Sequence, residues 1–401
     1  MSYINTFIAL TLGILSGVIT GLIPGIHVNL IAVLIISFSS ILLAVTTPVT
    51  VAVYIISLAL THSFLDSIPS IYLGAPDAGQ ELNVLPGHRE LHQGRGHNAI
   101  TYTLIGSLGS LITCVSLFPF FIITMAFIFP YVKGGIGYFL AFIMIFMIGK
   151  DRGKRLKSAA AFFLSGILGL IVLSIPNMEQ PLFPLLSGLF GFSILLVSLA
   201  TNSIIPEQTN QPLTLTKNKL TKAVSAASGV GFIAAFLPGF GSSQAAIVAT
   251  NIVGDIGDEG FLTLVGGINT ANMLLSIATL YVLEKARNGA ILTVHKLVGA
   301  ITLSEVVLFI GVALVVAGIA TIIALKISKI FAHYITRVNY AKVITSILVF
   351  ITILTIYFDG FLGLTILATA TAIGLTASYW GVGKNHLMGC LILPVILFFI
   401  L

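Results

Sequence analysis

Gly17-Val18-Ile19-Thr20-Gly21-Leu22-Ile23-Pro24-Gly25-Ile26-His27-Val28-Asn29 lies near the start of the chain. It returns in altered form as Gly231-Phe232-Ile233-Ala234-Ala235-Phe236-Leu237-Pro238-Gly239-Phe240-Gly241-Ser242-Ser243. Aligned without a gap, the two stretches share Gly17/Gly231, Ile19/Ile233, Pro24/Pro238 and Gly25/Gly239, and each closes on small or polar residues ahead of another apolar run. A proline beside a glycine removes a helical N–H donor and permits an unwound turn. Inside a bilayer such a break survives only where protein or a water-filled cavity satisfies the freed backbone groups. Interruptions at matching places in two halves point to a transporter's substrate site at the repeat interface.

The rest of the chain fits a membrane setting. Of its 401 residues, 57% are hydrophobic and 8% charged, and the mean hydropathy is +1.10, which excludes a soluble globule with a polar surface. A spanning helix takes about 20 apolar residues, so the chain accommodates roughly 10–12 transmembrane segments. The apolar runs are continuous rather than alternating, which excludes a β-barrel. The first of them begins at Tyr3 with no basic region ahead and no small-residue cleavage site after it, so it reads as a mature membrane segment. Cys114 and Cys390 both sit in apolar runs and are expected to pack as small hydrophobes. The net charge of +6 gathers in short clusters that set topology, and no basic stretch is interleaved with exposed aromatics, so no nucleic-acid partner is expected. Lys150, Arg152, Lys154, Arg155 and Lys157 place their loop in the cytoplasm, and Lys217, Lys219 and Lys222 agree.

The expected fold is an all-α polytopic membrane protein. A first transmembrane repeat covers 1–200, a polar linker 201–222 and a second repeat 223–401, the two of inverted topology and each with a broken or re-entrant helix. Residues 74–98, rich in glycine and proline, are expected to form irregular loop. From Ala99 to Phe129 the pattern gives two helices, or one kinked at Pro119. Asp255, Asp258 and Glu259 are expected in a solvated turn, and Lys326, Lys329, Arg337 and Lys342 in a cytoplasmic loop.

Half-helix N-termini carry partial positive charge and unpaired N–H groups, so two facing breaks make an anion site without a buried arginine. The candidate substrate ligands are Pro24, Gly25, His27 and Asn29 from the first break, and Pro238, Gly239, Gly241, Ser242, Ser243 and Gln244 from the second. Asn269 and Asn272, one helical turn apart, complete the set. The competing readings are ordinary kinks for the Pro-Gly pairs and helix–helix hydrogen bonding for the asparagines. His62 and Asp66 are four apart and share a helix face. A carboxylate inside the membrane is costly unless paired or wetted, so the two are candidates for coupling to a sodium ion or a proton. Alternatively Asp66 caps a helix that starts at Ser67-Ile68-Pro69. His88, His92 and His97 with Asp77 and Glu81 match no metal-ligand spacing and read as solvated. Arg89 and Arg95 either attract an anionic substrate or face lipid headgroups. The absence of Gly-x-Ser-x-Gly, His-Glu-x-x-His and a phosphate loop argues against an enzyme, and no metal or other cofactor is expected.

Several elements, in order, resemble the large membrane subunit of the tripartite tricarboxylate transporters and its shorter archaeal relatives. They are Gly17 to Gly25, Ser67-Ile68-Pro69-Ser70-Ile71-Tyr72-Leu73-Gly74-Ala75-Pro76, Leu85-Pro86-Gly87-His88 and Gly94-Arg95-Gly96-His97-Asn98-Ala99. Pro238-Gly239-Phe240-Gly241 and Gly266-Gly267-Ile268-Asn269-Thr270-Ala271-Asn272 follow, so the resemblance covers most of the chain. The sequence departs from the family pattern twice. The family's first motif commonly continues Pro-Gly-Leu-Gly-Pro, whereas this chain reads Pro24-Gly25-Ile26-His27-Val28, and Thr61-His62-Ser63-Phe64-Leu65-Asp66 replaces a Gly-Gly-Ser stretch. The resemblance implies a secondary active permease with inverted repeats in the plasma membrane of a prokaryote, archaeal in kind. It implies a di- or tricarboxylate substrate, a small membrane subunit and an extracytoplasmic binding protein as partners, and is compatible with an oligomer. The alternative readings are a lipid-phosphate (polyprenyl-phosphate) translocase using the same anion site and a non-transporting membrane scaffold.

Overall fold

The computed structural model describes every residue outside 1–2, 24–27, 29–30, 32–34, 36–38, 75–80, 133, 177, 201–205, 210, 238–239, 287 and 336–339, and every side chain within these limits except at 81, 132, 136, 198, 340 and 343. Among the described residues the regular elements are all helical. In chain order they are α1 (Tyr3–Leu22), α2 (Ser39–Val45), α3 (Pro48–Leu65), α4 (Ser67–Leu73), α5 (Val84–His92), α6 (Gly96–Ser116), α7 (Phe118–Val132), α8 (Ile136–Lys150) and α9 (Arg155–Ser174). There follow α10 (Leu182–Leu186), which passes through a π turn (Ser187–Phe192) into α11 (Ser193–Ala200), then α12 (Lys217–Phe236), α13 (Ser242–Val253), α14 (Gly257–Leu283), α15 (Gly289–Val298), α16 (Leu303–Ile335), α17 (Tyr340–Tyr379) and α18 (Gly389–Ile400). Seven helical stretches among the described residues are long and apolar enough to cross a membrane, and five shorter apolar helices accompany them. The chain is an all-α polytopic membrane protein.

Local chemistry sets the element ends. The Thr47 hydroxyl accepts from the Thr50 N–H at 3.3 Å and Pro48 occupies the first turn of α3, where no N–H is needed. Asn288 caps α15 in the same way, accepting from the Ile291 N–H at 2.8 Å. Gly360, at φ 59°, splits α17 into two helices.

Three expectations are corrected. Residues 84–92 form a helix and not an irregular loop. Pro86 falls in its first turn, where the missing donor costs little, and Gly87 lets the helix lie flat on Ile71. Val84, His88, Glu90 and Leu91 are buried while Leu85 and Arg89 face outward. The acidic turn is also not simply solvated. Arg89 Nε donates to Asp258 Oδ2 at 2.7 Å, and Lys219 Nζ donates to Glu259 Oε1 at 2.6 Å. Lys326 and Lys329 ride on the end of α16 and not on a loop. From Ala99 to Phe129 the chain makes two helices, α6 and α7, with Pro119 in the first turn of the second.

Small residues then decide how the helices assemble. Gly13 lies against Ser57, Gly17 against Thr61 and Gly21 against Leu65, a constant offset, so α1 and α3 run parallel. A Cβ at Gly17 would stand 2.6 Å from both the Leu58 carbonyl oxygen and Thr61 Cβ, so only glycine permits this approach. The second half repeats the arrangement. Gly231 lies against Ala271 and Ala227 against Gly267, and α12 runs parallel to α14.

The two pairs point in opposite directions. Thr103 of α6 bonds Ser67 of α4 at 3.3 Å, while Tyr72 and His97 meet at Ser328, so α4 runs against α6. Ser107 of α6 bonds the Gly266 carbonyl at 3.1 Å and Arg89, just ahead of α6, reaches Asp258 at the start of α14, so α6 runs with α14.

Two bundles result. One holds α1, α3–α7 and α12–α16; the other holds α8–α11, α17 and α18. Each draws on both halves of the sequence. They meet through small contacts, among them the turn at Lys384–Met388 against α13 and α17 against α4. The basic α8–α9 turn and the segment ahead of α18 share one face, where Lys154 Nζ donates to the Gly381 carbonyl at 2.8 Å and His386 Nε2 lies 2.8 Å from Asp151 Oδ2.

Candidate functional site

A cavity of about 700 Å³ lies between the bundles. Its polar wall belongs to the first bundle and is assembled from three helix segments. Asp66 marks the bend between α3 and α4, Ser242 opens α13 after the second Pro-Gly stretch, and Asn269 and Asn272 project from the middle of α14. Their side chains form one row. Asn269 Nδ2 donates to Asp66 Oδ2 at 3.2 Å, the Ser242 hydroxyl donates to Asn269 Oδ1 at 3.4 Å, and Asn272 Nδ2 donates to Ser242 Oγ at 3.2 Å. Asp66 is 2% exposed and Ser242 7%. A buried carboxylate held by an amide, with hydroxyl and amide donors continuing from it, suits a small ion or a hydrogen-bonding ligand.

His62, Ser63, Ser243, Gln244 and Asn288 also line this wall. His62 Nδ1 lies 3.1 Å from Thr20 Oγ1, which is itself 3.3 Å from the Gly17 carbonyl oxygen, so α1 holds this ring in place. Because the Gly17–Thr61 and Gly231–Ala271 contacts are equivalent, His62 and Asn272 occupy corresponding places in the two helix pairs, and both face the cavity. Gln244 Oε1 accepts from the Gly241 N–H at 3.0 Å, so this side chain closes the start of α13.

The opposite wall comes from the second bundle. Among the described residues it is wholly apolar: Leu173, Leu182, Leu186, Leu391, Pro394, Val395, Phe398 and Phe399. Leu173 and Phe398 stand at the rim, 43% and 77% exposed. Both lie toward the ends of helices that begin at the basic face, and Asn288 follows the far end of α14. The cavity thus runs from mid-depth to the face opposite the basic one.

Of the sequence-predicted ligands, Gly241, Ser242, Ser243, Gln244, Asn269 and Asn272 are brought together, and His62 and Asp66 join them. Pro24, Gly25, His27, Asn29, Pro238 and Gly239 lie outside the described residues. Asp66 makes no side-chain cap bond to α4, which removes the capping reading. Arg89 and Arg95 are committed to Asp258 and Glu90, Arg95 through two bonds of 2.8 Å, so neither faces substrate or lipid headgroups alone. The hydrogen bond from Arg89 to Asp258 holds the guanidinium above its ordinary value. His88 is buried, not solvated; burial and then the His92 charge push its imidazole down to about 4. Sequence reasoning missed Ser63, Asn288 and the entire apolar wall. Asn288 follows a charged patch and reads as a plain helix cap, while the wall residues have no signal beyond hydrophobicity.

Over residues 7–389 the sequence matches the family model described as the tripartite tricarboxylate transporter TctA family. The chain belongs to the TctA family. It is therefore a membrane transporter component, and the helices that place this cavity are those of a TctA-family chain. Over 398 residues, 98% of each chain, it is 29% identical to the uncharacterised protein MJ1079 of Methanocaldococcus jannaschii. No solved structure matches the chain.

Proposed function

We propose that this TctA-family chain is a secondary active permease for a small organic anion, a di- or tricarboxylate, the second being the class that the family description names. The anion sits between the Pro24-Gly25 and Pro238-Gly239 breaks, in a plasma membrane whose cytoplasmic side carries the basic face. The observation that carries this reading is the polar row Asp66–Asn269–Ser242–Asn272, with Asp66 and Ser242 buried and both asparagines half-buried, at mid-depth beside a cavity between two bundles. The two parallel helix pairs, oppositely directed, act as inverted-topology repeats centred on residues 1–200 and 223–401. Alternating access arises as one bundle moves against the other. Asp66, with His62 beside it, binds the coupling proton or sodium ion, since a membrane-buried carboxylate responds to both. Partners follow the tripartite plan of the family: a small membrane subunit and an extracytoplasmic binding protein. A lipid phosphate is the second reading, favoured by the exposed apolar rim at Leu173 and Phe398.

Uptake into proteoliposomes tests the permease. Ser242→Leu, Gly25→Leu and Gly239→Leu are expected to abolish uptake while the protein still purifies as a folded species, and Asn272→Ala to lower it by about tenfold, the worth of about 1.4 kcal/mol. Asp66→Asn is expected to remove dependence of uptake on the driving ion gradient. Wild-type rates in these variants would sink the site.

A further inference from the structure

The two walls of the cavity differ in kind, and the difference bears on what the substrate is. The first bundle contributes the polar row. Every described lining residue of the second bundle is apolar, Leu186 of α10 and Leu391 and Val395 of α18 among them. A tricarboxylate carries charge around its whole surface, and each charged oxygen that leaves water needs a hydrogen bond or countercharge. Among the described residues, the second bundle's wall offers neither. A molecule with one charged end and an apolar remainder meets both walls, because its hydrocarbon leaves water for a hydrocarbon surface.

We propose that the transported anion is amphipathic: one compact charged end set on an apolar body. The end lies on Ser242 and Asn272, and the body lies on Leu186, Leu391 and Val395. This rests on the permease reading above and replaces its di- or tricarboxylate with an anion charged at one end. A carboxylate or phosphate end beside Asp66 is repelled unless a proton or sodium ion lies between them, which ties binding to the coupling ion. The rim points the same way. Leu173 and Phe398 stay apolar and exposed at the mouth, so a body longer than the cavity continues over a surface that accepts it. The same chemistry occurs in soluble aryl or alkyl carboxylates and in prenyl phosphates.

Calorimetric binding to the full-length chain in nanodiscs tests the proposal, at fixed sodium and pH. The probes are 4-phenylbutanoate and octanoate against succinate and citrate, and geranyl and farnesyl phosphate against inorganic phosphate. Anions with an apolar body are expected to bind at least about tenfold tighter than their polar counterparts. Val395→Thr, which keeps the side-chain shape, and Leu391→Asn are expected to weaken them severalfold and leave inorganic phosphate unaffected. Affinity that rises from geranyl to farnesyl phosphate and exceeds every carboxylate assigns a lipid; the reverse order assigns a soluble carboxylate. Citrate or succinate binding as tightly as 4-phenylbutanoate, or wall variants with wild-type affinities, overturns the proposal. If citrate then binds and Ser242→Leu removes it, the permease site stands without the apolar body. If no anion responds to Ser242→Leu, the site itself falls as well.

Discussion

At the level of single residues, the chain separates polar groups that hold the fold from those that face the cavity. Asp151 belongs to the first kind. It accepts from the Ser158 hydroxyl at 2.6 Å and lies 2.8 Å from His386 Nε2, joining the α8–α9 turn to the segment that leads into α18. Partial burial pushes its carboxyl up, but the Ser158 and His386 contacts outweigh this and hold it below the ordinary aspartate value. A depressed carboxyl stabilises the fold while ionised. Its contribution is full above the unfolded value of about 4 and is lost as pH falls through the lower folded one. Asp151→Asn is thus expected to lower thermal stability at neutral pH and to narrow its gap to wild type as pH drops toward ~3. With 35% of the Asp151 side chain exposed, screening keeps the effect small. Melting curves that keep the same separation at every pH would rule out this role. Asp66, by contrast, shares its row with Asn269 at the cavity wall, and its effect is expected on ion coupling. The sequence marked both asparagines and Asp66 as candidates because polar groups are rare in such an apolar chain. It did not say that they share one row, because they come from segments far apart along the chain.

At the level of elements, the governing feature is the glycine-lined helix pair. Gly17 and Gly231 sit at equivalent contacts of α1 with α3 and of α12 with α14, and each is too close to its neighbour for a side chain. Replacement of either by leucine forces the helices apart and is expected to cost about 1–3 kcal/mol, the usual range for overpacking. Thermal denaturation in detergent reads this directly, and a variant as stable as the parent would mean that the contact is looser than it looks. The recurrence of this glycine is legible in the amino-acid order, where Gly17 and Gly231 align without a gap. Helix α5 is not legible in that way. Its proline and glycine look like loop punctuation, yet Pro86 in a first turn and Gly87 on Ile71 are compatible with a helix once there is a surface to lie on. Likewise Asp258 and Glu259 read as solvated until Arg89 and Lys219 arrive from distant segments.

At the level of the whole molecule, the halves of the sequence and the bundles in space do not coincide. Residues of α8–α11 join α17 and α18 in one bundle, and α1, α3–α7 and α12–α16, again from both halves, form the other. A second cavity, of about 320 Å³, separates the bundles at the basic face, with Thr250 and Arg89 on one side and Lys384 and Asn385 on the other. If transport needs the bundles to move, a tether across this gap stops it. Thr250→Cys with Asn385→Cys, in a background where Cys114 and Cys390 are alanine, is expected to lose uptake after treatment with a bifunctional thiol reagent. Reducing a cleavable version of that reagent is expected to restore it. Undiminished uptake in a fully cross-linked sample would show that the bundles need not separate there.

The order of amino acids is enough to settle the membrane class, the helical architecture, the family and the paired Pro-Gly stretches. Each of these is a local property: composition, run length and order of motifs survive in one dimension. Three-dimensional packing was needed to bring Asp66, Asn269, Ser242 and Asn272 into a single row, to spend Arg89 and Arg95 on ion pairs, and to set an apolar wall against the polar one. The row, the Arg89 pair and the facing walls depend on close approach between segments far apart in the chain. In an apolar chain, a leucine that lines a cavity and a leucine that faces lipid carry the same hydrophobicity, so position alone tells them apart.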